Sequence, residues 1–201
     1  MQLIPYLSNM IAYFLYSHGV DDKDKIERAR YGFELIISGM IGITLILISG
    51  LIFHIFTQSV VFLLVFVTTR LYTGGYQANS YFTCNAAFLF IYALTVSISL
   101  FFASLDGFTF VLNLLIVIFA DLIIAYYSPI ENKNKTLSNE LKRKNRIISI
   151  KMSLAFSAAD VLLFTFVKGI GVVITFTLFA VAFLMVIVKF NSERKNYYER
   201  V

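Results

Sequence analysis

Residues Phe108–Tyr127 read FTFVLNLLIVIFADLIIAYY: twenty positions with a single acidic or basic side chain, Asp121. A helix of about twenty apolar residues spans the hydrocarbon core of a bilayer. Working outward, comparable stretches lie near Phe33–Phe56, Ser59–Tyr72, Asn85–Ala103, Ile147–Val167 and Ile170–Phe190. The second is short, about 14 residues or roughly 21 Å at 1.5 Å per residue. Thr57–Gln58, Ser104–Gly107 and Lys168–Gly169 leave only tight links, so neighbouring spans should form antiparallel hairpins. The reading is an all-α integral membrane protein of six transmembrane helices in a single unit over residues 1–201.

Composition agrees. The chain is 59% apolar and 14% charged, and its mean hydropathy is +0.79. A soluble domain carries about 25% charged residues, so a water-facing surface of ordinary composition is excluded, as is a disordered chain. One cysteine excludes an intramolecular disulfide framework and a Cys-based zinc or iron–sulfur site.

Ahead of the first span, Leu3, Leu7, Met10 and Phe14 recur at helical spacing. Residues 1–16 therefore read as an amphipathic helix in the membrane interface, or one packed on the bundle. They lack the basic start and small-residue cleavage site of a signal peptide. Residues 18–32 are polar and read as a solvated connection.

Charge distribution sets the orientation. With a cytoplasmic N-terminus, sixteen Lys and Arg fall on the inner side and only Lys168 outside, the bias expected of a plasma-membrane protein with both termini inside. The net charge of +5 then faces an anionic leaflet rather than nucleic acid. With no Trp in the chain, Tyr72, Tyr76, Tyr81, Tyr126, Tyr127, Tyr197 and Tyr198 serve as interfacial anchors at the same ends.

The chemistry concentrates in residues 70–84, RLYTGGYQANSYFTC, between the second and third spans. Gly74 and Gly75 should break the second helix. Cys84 falls near the start of the third, where the helix dipole favours a thiolate. On composition alone, a lone cysteine beside an apolar helix is more often inert packing. A cysteine nucleophile also needs a base. His54 falls at the opposite membrane face, and His18 reads as an ordinary solvated loop residue. Gln77 precedes Cys84 by seven residues, about 10 Å along one helix, and cannot take a proton at neutral pH.

Asp121 and Asp160 fall inside spans, where carboxylates are expensive and default to functional hypotheses. An aspartyl protease dyad is one reading, but the sequence setting of such proteases is absent. A structural hydrogen bond or ion pair is the plainer one, with Arg70–Asp121 expected as a pair from their similar depth. The basic run Lys142–Arg146, within a cytoplasmic loop spanning 128–146, is either a topology signal or a hold for an acidic peptide tail.

Arg70…Gly74-Gly75-Tyr76-Gln77-Ala78…Cys84 resembles the active-site segment of the accessory gene regulator B family, whose motif has Arg, Gly-Gly-Tyr-His-Ala, and Cys seven residues after the His. Residues Tyr127–Lys135, with Glu140 and Lys142-Arg143-Lys144, resemble the family's loop after its fourth span. The resemblance implies a membrane cysteine endopeptidase of bacterial peptide quorum sensing, with no cofactor and no metal. Cys84 would be the nucleophile, with Arg70, Gly74 and Gly75 in support. Lys142, Arg143 and Lys144 would hold the substrate tail. The implied partner is an autoinducer precursor peptide, cut at its C-terminal part and cyclised to a thiolactone or lactone; a homodimer is an arrangement a small bundle allows.

One departure stands out: Gln77 occupies the position of the family's base His. General-base catalysis contributes about 10²–10⁴-fold, so this chain is expected to be strongly impaired. A substitution made to trap an uncleaved precursor and natural divergence both fit, and the intact remainder of the motif favours the first. A non-catalytic peptide-binding or transporting membrane protein is the alternative. Against it, the spans show no internal repeat.

Overall fold

The computed structural model describes residues 10, 13–14, 16–17, 23–74, 81–130 and 138–198. Six helices follow in order: α1 Lys23–Ile52, α2 Phe56–Thr73, α3 Tyr81–Ser104, α4 Phe110–Tyr127, α5 Asn139–Phe166 and α6 Lys168–Tyr198. All six are long and apolar enough to cross a membrane. Most of the expected N-terminal interfacial helix lies outside the described residues; Met10, Tyr13, Phe14 and Tyr16 are helical and exposed.

Helix boundaries differ from the hydropathy reading: α1, α5 and α6 extend beyond it into charged sequence, while α1 ends at Ile52 and α4 begins at Phe110, inside the spans read. The second span is not short: α2 has 18 residues, about 27 Å at 1.5 Å per residue. Thr57 and Gln58 belong to its first turn, and the link from α1 is Phe53–Ile55, with His54 at φ 57°. The connection read over residues 18–32 is helical from Lys23, and Lys142–Arg146 lie on α5 rather than in a loop. Lys, Arg and Glu are good helix formers, so helices continue past the point where hydropathy falls. Hydropathy marks where a helix leaves the bilayer, not where it stops.

Caps define several ends. Thr109 Oγ1 accepts from the Leu112 amide at 3.5 Å and Ser138 Oγ from the Leu141 amide at 3.3 Å. Such side chains satisfy amides that have no intrahelical partner.

The last helix is the axis of the bundle. α6 packs against α2, α3, α4 and α5, whereas α1 rests on α2 and α3. Val172, Val173, Leu178, Val181 and Ala182 on α6 are fully buried. All but Val172 meet Phe62, Val65, Val96, Val117, Ala120 and Ile124 from the surrounding helices, while Val172 packs with Phe108 and Phe164. Large apolar side chains such as Leu71, Phe90, Leu122 and Phe166 face outward, toward the lipid. Lipid is as apolar as leucine, so association falls to close packing and polar contacts.

The inner face of α5 carries Ser149, Ser153, Ser157, Asp160 and Phe164, spaced to lie along one side of a helix. Its polar groups meet polar groups on α4 and α6. Ser128 Oγ and Ser149 Oγ are 2.5 Å apart. Ser153 and Ser157 both donate to Asp121, the latter at 2.7 Å. Asn113 donates to Asp160 at 2.7 Å and accepts from Thr175 at 2.8 Å. In a bilayer the interior is the only place where such groups find partners.

Candidate functional site

One end of the bundle gathers the C-termini of α2 and α4 with the N-termini of α3 and α5. The link is direct: Gly74 pairs with Ile130 as an isolated parallel bridge, and the Ile130 amide donates to the Thr73 carbonyl at 2.8 Å. At the opposite end, Lys168 Nζ donates to the Leu105 carbonyl at 2.8 Å, joining the α5–α6 and α3–α4 turns. His54, in the α1–α2 turn, belongs to that far end.

Cys84 sits in the first turn of α3 and is exposed. Beside it on α3, the Asn85 amide donates to Ser38 Oγ at 3.3 Å and ties this turn to α1. The thiol is thus held on a helix anchored through its neighbour, while remaining open to a reactant.

Arg70 lies in the last turn of α2, partly buried. Its guanidinium stands 5.5 Å from the centre of the Phe66 ring, in the range of a cation–π contact. Phe88, on which Phe66 stacks, lies one turn from Cys84 on α3, so this cation stands near the helix that carries the thiol. Phe66 in turn stacks on Phe62 and Phe88 at 5.1 and 5.3 Å, so an aromatic platform backs the cation.

The expected Arg70–Asp121 pair is replaced by other contacts. Asp121 is taken by Ser153 and Ser157 of α5, and Arg70 lies over the Phe66 ring. Similar depth on two helices does not fix the direction each side chain takes around its helix axis. Asp121 points to α5, where two hydroxyls satisfy it.

Gly74 ends α2 as its C-cap, with φ 72° and its amide donating to the Arg70 carbonyl at 3.1 Å. Its amide is therefore already engaged, which disfavours it as an oxyanion donor. A Cβ at this position would lie 2.3 Å from the Ile130 carbonyl oxygen, so the pairing itself requires glycine. Gly75 and Gln77 lie outside the described residues, as does His18. Lys142, Arg143 and Lys144 occupy the opening turns of α5 at this same end, with Arg143 and Lys144 exposed.

Sequence alone does not show that the segments around Gly74 and Ile130 touch, nor that Ile130 and Ser128 are structural partners of the site and Asn85 an anchor. The signals were Gly74 beside a helix end and the Ser128-Pro129 step after α4. Among the described residues, no group of three or more His, Cys, Asp or Glu could hold a metal ion.

Six spans with α6 at their centre, and an exposed thiol and a guanidinium at one end, define a multi-pass membrane protein with a reactive-group site near its surface. The accessory gene regulator B model matches residues 8–188, and the chain belongs to that family. Two Clostridium perfringens proteins named as AgrB-like are similar. The one from strain 13 / Type A is 29% identical over 71% of this chain and 68% of its own length. The one from strain SM101 / Type A is 27% identical with the same coverage. No solved structure matches. The family places the protein in quorum-sensing peptide processing, with a precursor peptide as its substrate.

Proposed function

We propose that this chain is built as a membrane cysteine endopeptidase that cuts the C-terminal part from an autoinducer precursor peptide. The observation that carries the reading is the exposed Cys84 in the first turn of α3, one turn from Phe88, whose stacking partner Phe66 lies under the Arg70 guanidinium. A thiol at a helix N-terminus beside a cation is the setting in which cysteine acts as a nucleophile.

In this reading the Cys84 Sγ attacks the scissile carbonyl. The C–N bond breaks, and the C-terminal fragment leaves as an amine after taking a proton. The N-terminal fragment remains as a thioester on Cys84. An internal thiol or hydroxyl of the fragment then attacks the same carbonyl, closes a thiolactone or lactone, and returns the sulfur to the enzyme. A thioester keeps acyl-transfer potential that hydrolysis would discard, so limited water at the membrane edge favours cyclisation. The first-turn amides of α3 are the candidate oxyanion donors, because helix N-terminal amides lack intrahelical acceptors.

Gln77 replaces the expected base, so this chain binds and positions the precursor but turns it over slowly. Lys142, Arg143 and Lys144 take the acidic tail. The site end and both termini face the cytoplasm, following the sixteen-to-one distribution of basic residues.

The test is precursor cleavage in proteoliposomes by this chain, by Gln77→His, and by Gln77→His combined with Cys84→Ala. Restored cleavage and cyclisation in the first variant, abolished in the second, establishes the reading. Binding without cleavage in every variant overturns it in favour of a non-catalytic peptide-binding or transporting protein.

A further inference from the structure

The last turn of a helix exposes carbonyls that have no partner within it, and helix ends open more easily than their centres. Arg70 is in such a turn. Left to itself it would sample solvent, where a guanidinium is well hydrated and a nearby thiol would feel little of its charge.

Here the turn is held from outside. The Ile130 amide donates to the Thr73 carbonyl, and Thr73 itself is fully buried. The Ile130 carbonyl fills the space a side chain at position 74 would need. Gly74 passes the restraint on through its own amide, bonded to the Arg70 carbonyl. The holding segment is itself anchored. The Ser128 amide donates to the Ile124 carbonyl at 3.0 Å, and Ser128 Oγ meets Ser149 Oγ on α5. Arg146 of α5 donates to the Ala125 carbonyl at 3.3 Å.

We propose that the Ser128–Ile130 segment is a positioning element of the thiol site: it fixes the last turn of α2 through Thr73 and Gly74, and so keeps the Arg70 guanidinium over the Phe66 ring, whose stacking partner Phe88 lies one turn from Cys84 on α3. It acts through Arg70 and touches no reacting atom. Its catalytic relevance rests on Cys84 being the nucleophile, but the positioning itself can be measured without any turnover.

Cys84 is the only cysteine, so its alkylation can be followed without background in full-length protein in zwitterionic nanodiscs. The readout is the ratio of the rate with iodoacetate, an anion, to that with neutral iodoacetamide. General access and thiolate content affect both reagents and cancel; a local cation does not cancel. Arg70→Gln sets the ratio without the cation, expected about threefold to fivefold lower for loss of one charge near a partly solvated site. Gly74→Ala and Ile130→Pro, which break the pairing, should lower the ratio most of the way to that level. Ser128→Ala should lower it by a smaller factor, and it serves if either backbone variant fails to fold. Leu71→Ala, on the lipid-facing side of the same turn, should leave it unchanged.

A normal ratio in the Gly74, Ile130 and Ser128 variants beside a low ratio in Arg70→Gln overturns the proposal. So does an unchanged ratio in Arg70→Gln, which removes the coupling being positioned. Failure of Gln77→His to cleave precursor while the ratio pattern holds would sink the peptidase reading alone.

Discussion

The side-chain amide of Asn113 donates to Oδ2 of Asp160 at 2.7 Å, joining the first turn of α4 to the C-terminal part of α5. Asp160 is fully buried, and the Asn113 carbonyl is in turn held by Thr175 of α6. Three helices are thereby tied at one level by groups that have no alternative partner in hydrocarbon. Asp121, two turns nearer the site end, is satisfied in the same way by Ser153 and Ser157. Both intramembrane carboxylates therefore bond side chains of neighbouring helices.

Asn113→Ala removes the donor to Asp160 and the acceptor of Thr175 together. Each orphaned buried group costs about 1–3 kcal/mol. The expected result is a combined loss of about 2–6 kcal/mol in reversible unfolding from mixed micelles, with Cys84 alkylation kinetics unchanged. A variant as stable as the parent would show that the network carries no net weight.

Ser59 and Tyr92 share a 2.7 Å hydrogen bond between α2 and α3. Polar contacts between membrane helices average only about 0.6 kcal/mol, so Tyr92→Phe should be nearly silent in thermal melts. Tyr92→Ala also empties space beside Phe62, whose ring centre is 5.3 Å away. Deleting a buried aromatic costs about 3–5 kcal/mol. The contrast separates packing from hydrogen bonding at this contact, and equal losses would contradict it.

A Cβ on Gly171 would lie 2.7 Å from the Phe164 Cα. Backbone cannot swing aside as a flexible side chain can, so Gly171→Ala must pry α5 from α6 where only Val167 joins them. Overpacking of this kind costs about 1–3 kcal/mol. A lowered melting temperature and increased proteolysis near residue 167 are expected.

Lys142, Arg143 and Lys144, changed together to Gln in a Gln77→His background, should raise KM for the precursor while leaving kcat nearly unchanged. That is the pattern of lost uniform binding. The parent's advantage should shrink with added salt, since exposed charges are screened. An equal fall in kcat would place these residues in the chemical step instead.

Much of the fold was legible in one dimension. Six apolar runs and short links follow from the cost of burying unpaired backbone in lipid, and that cost depends on local composition alone. The positions of Cys84 at a helix start and of the glycine break after Arg70 were legible for the same reason. Helix lengths were not, because charged helix formers let helices run past the hydrocarbon.

Which side chains meet is set by the folded bundle. Local composition alone specifies a six-span helical protein, the one thiol and the cation near it along the chain. Only the folded bundle put α6 at its centre, turned Asp121 to the serines of α5 rather than to Arg70, and brought Ile130 onto Gly74. Those outcomes depend on the rotation of each helix about its axis. That rotation is fixed by packing against neighbours from distant parts of the chain.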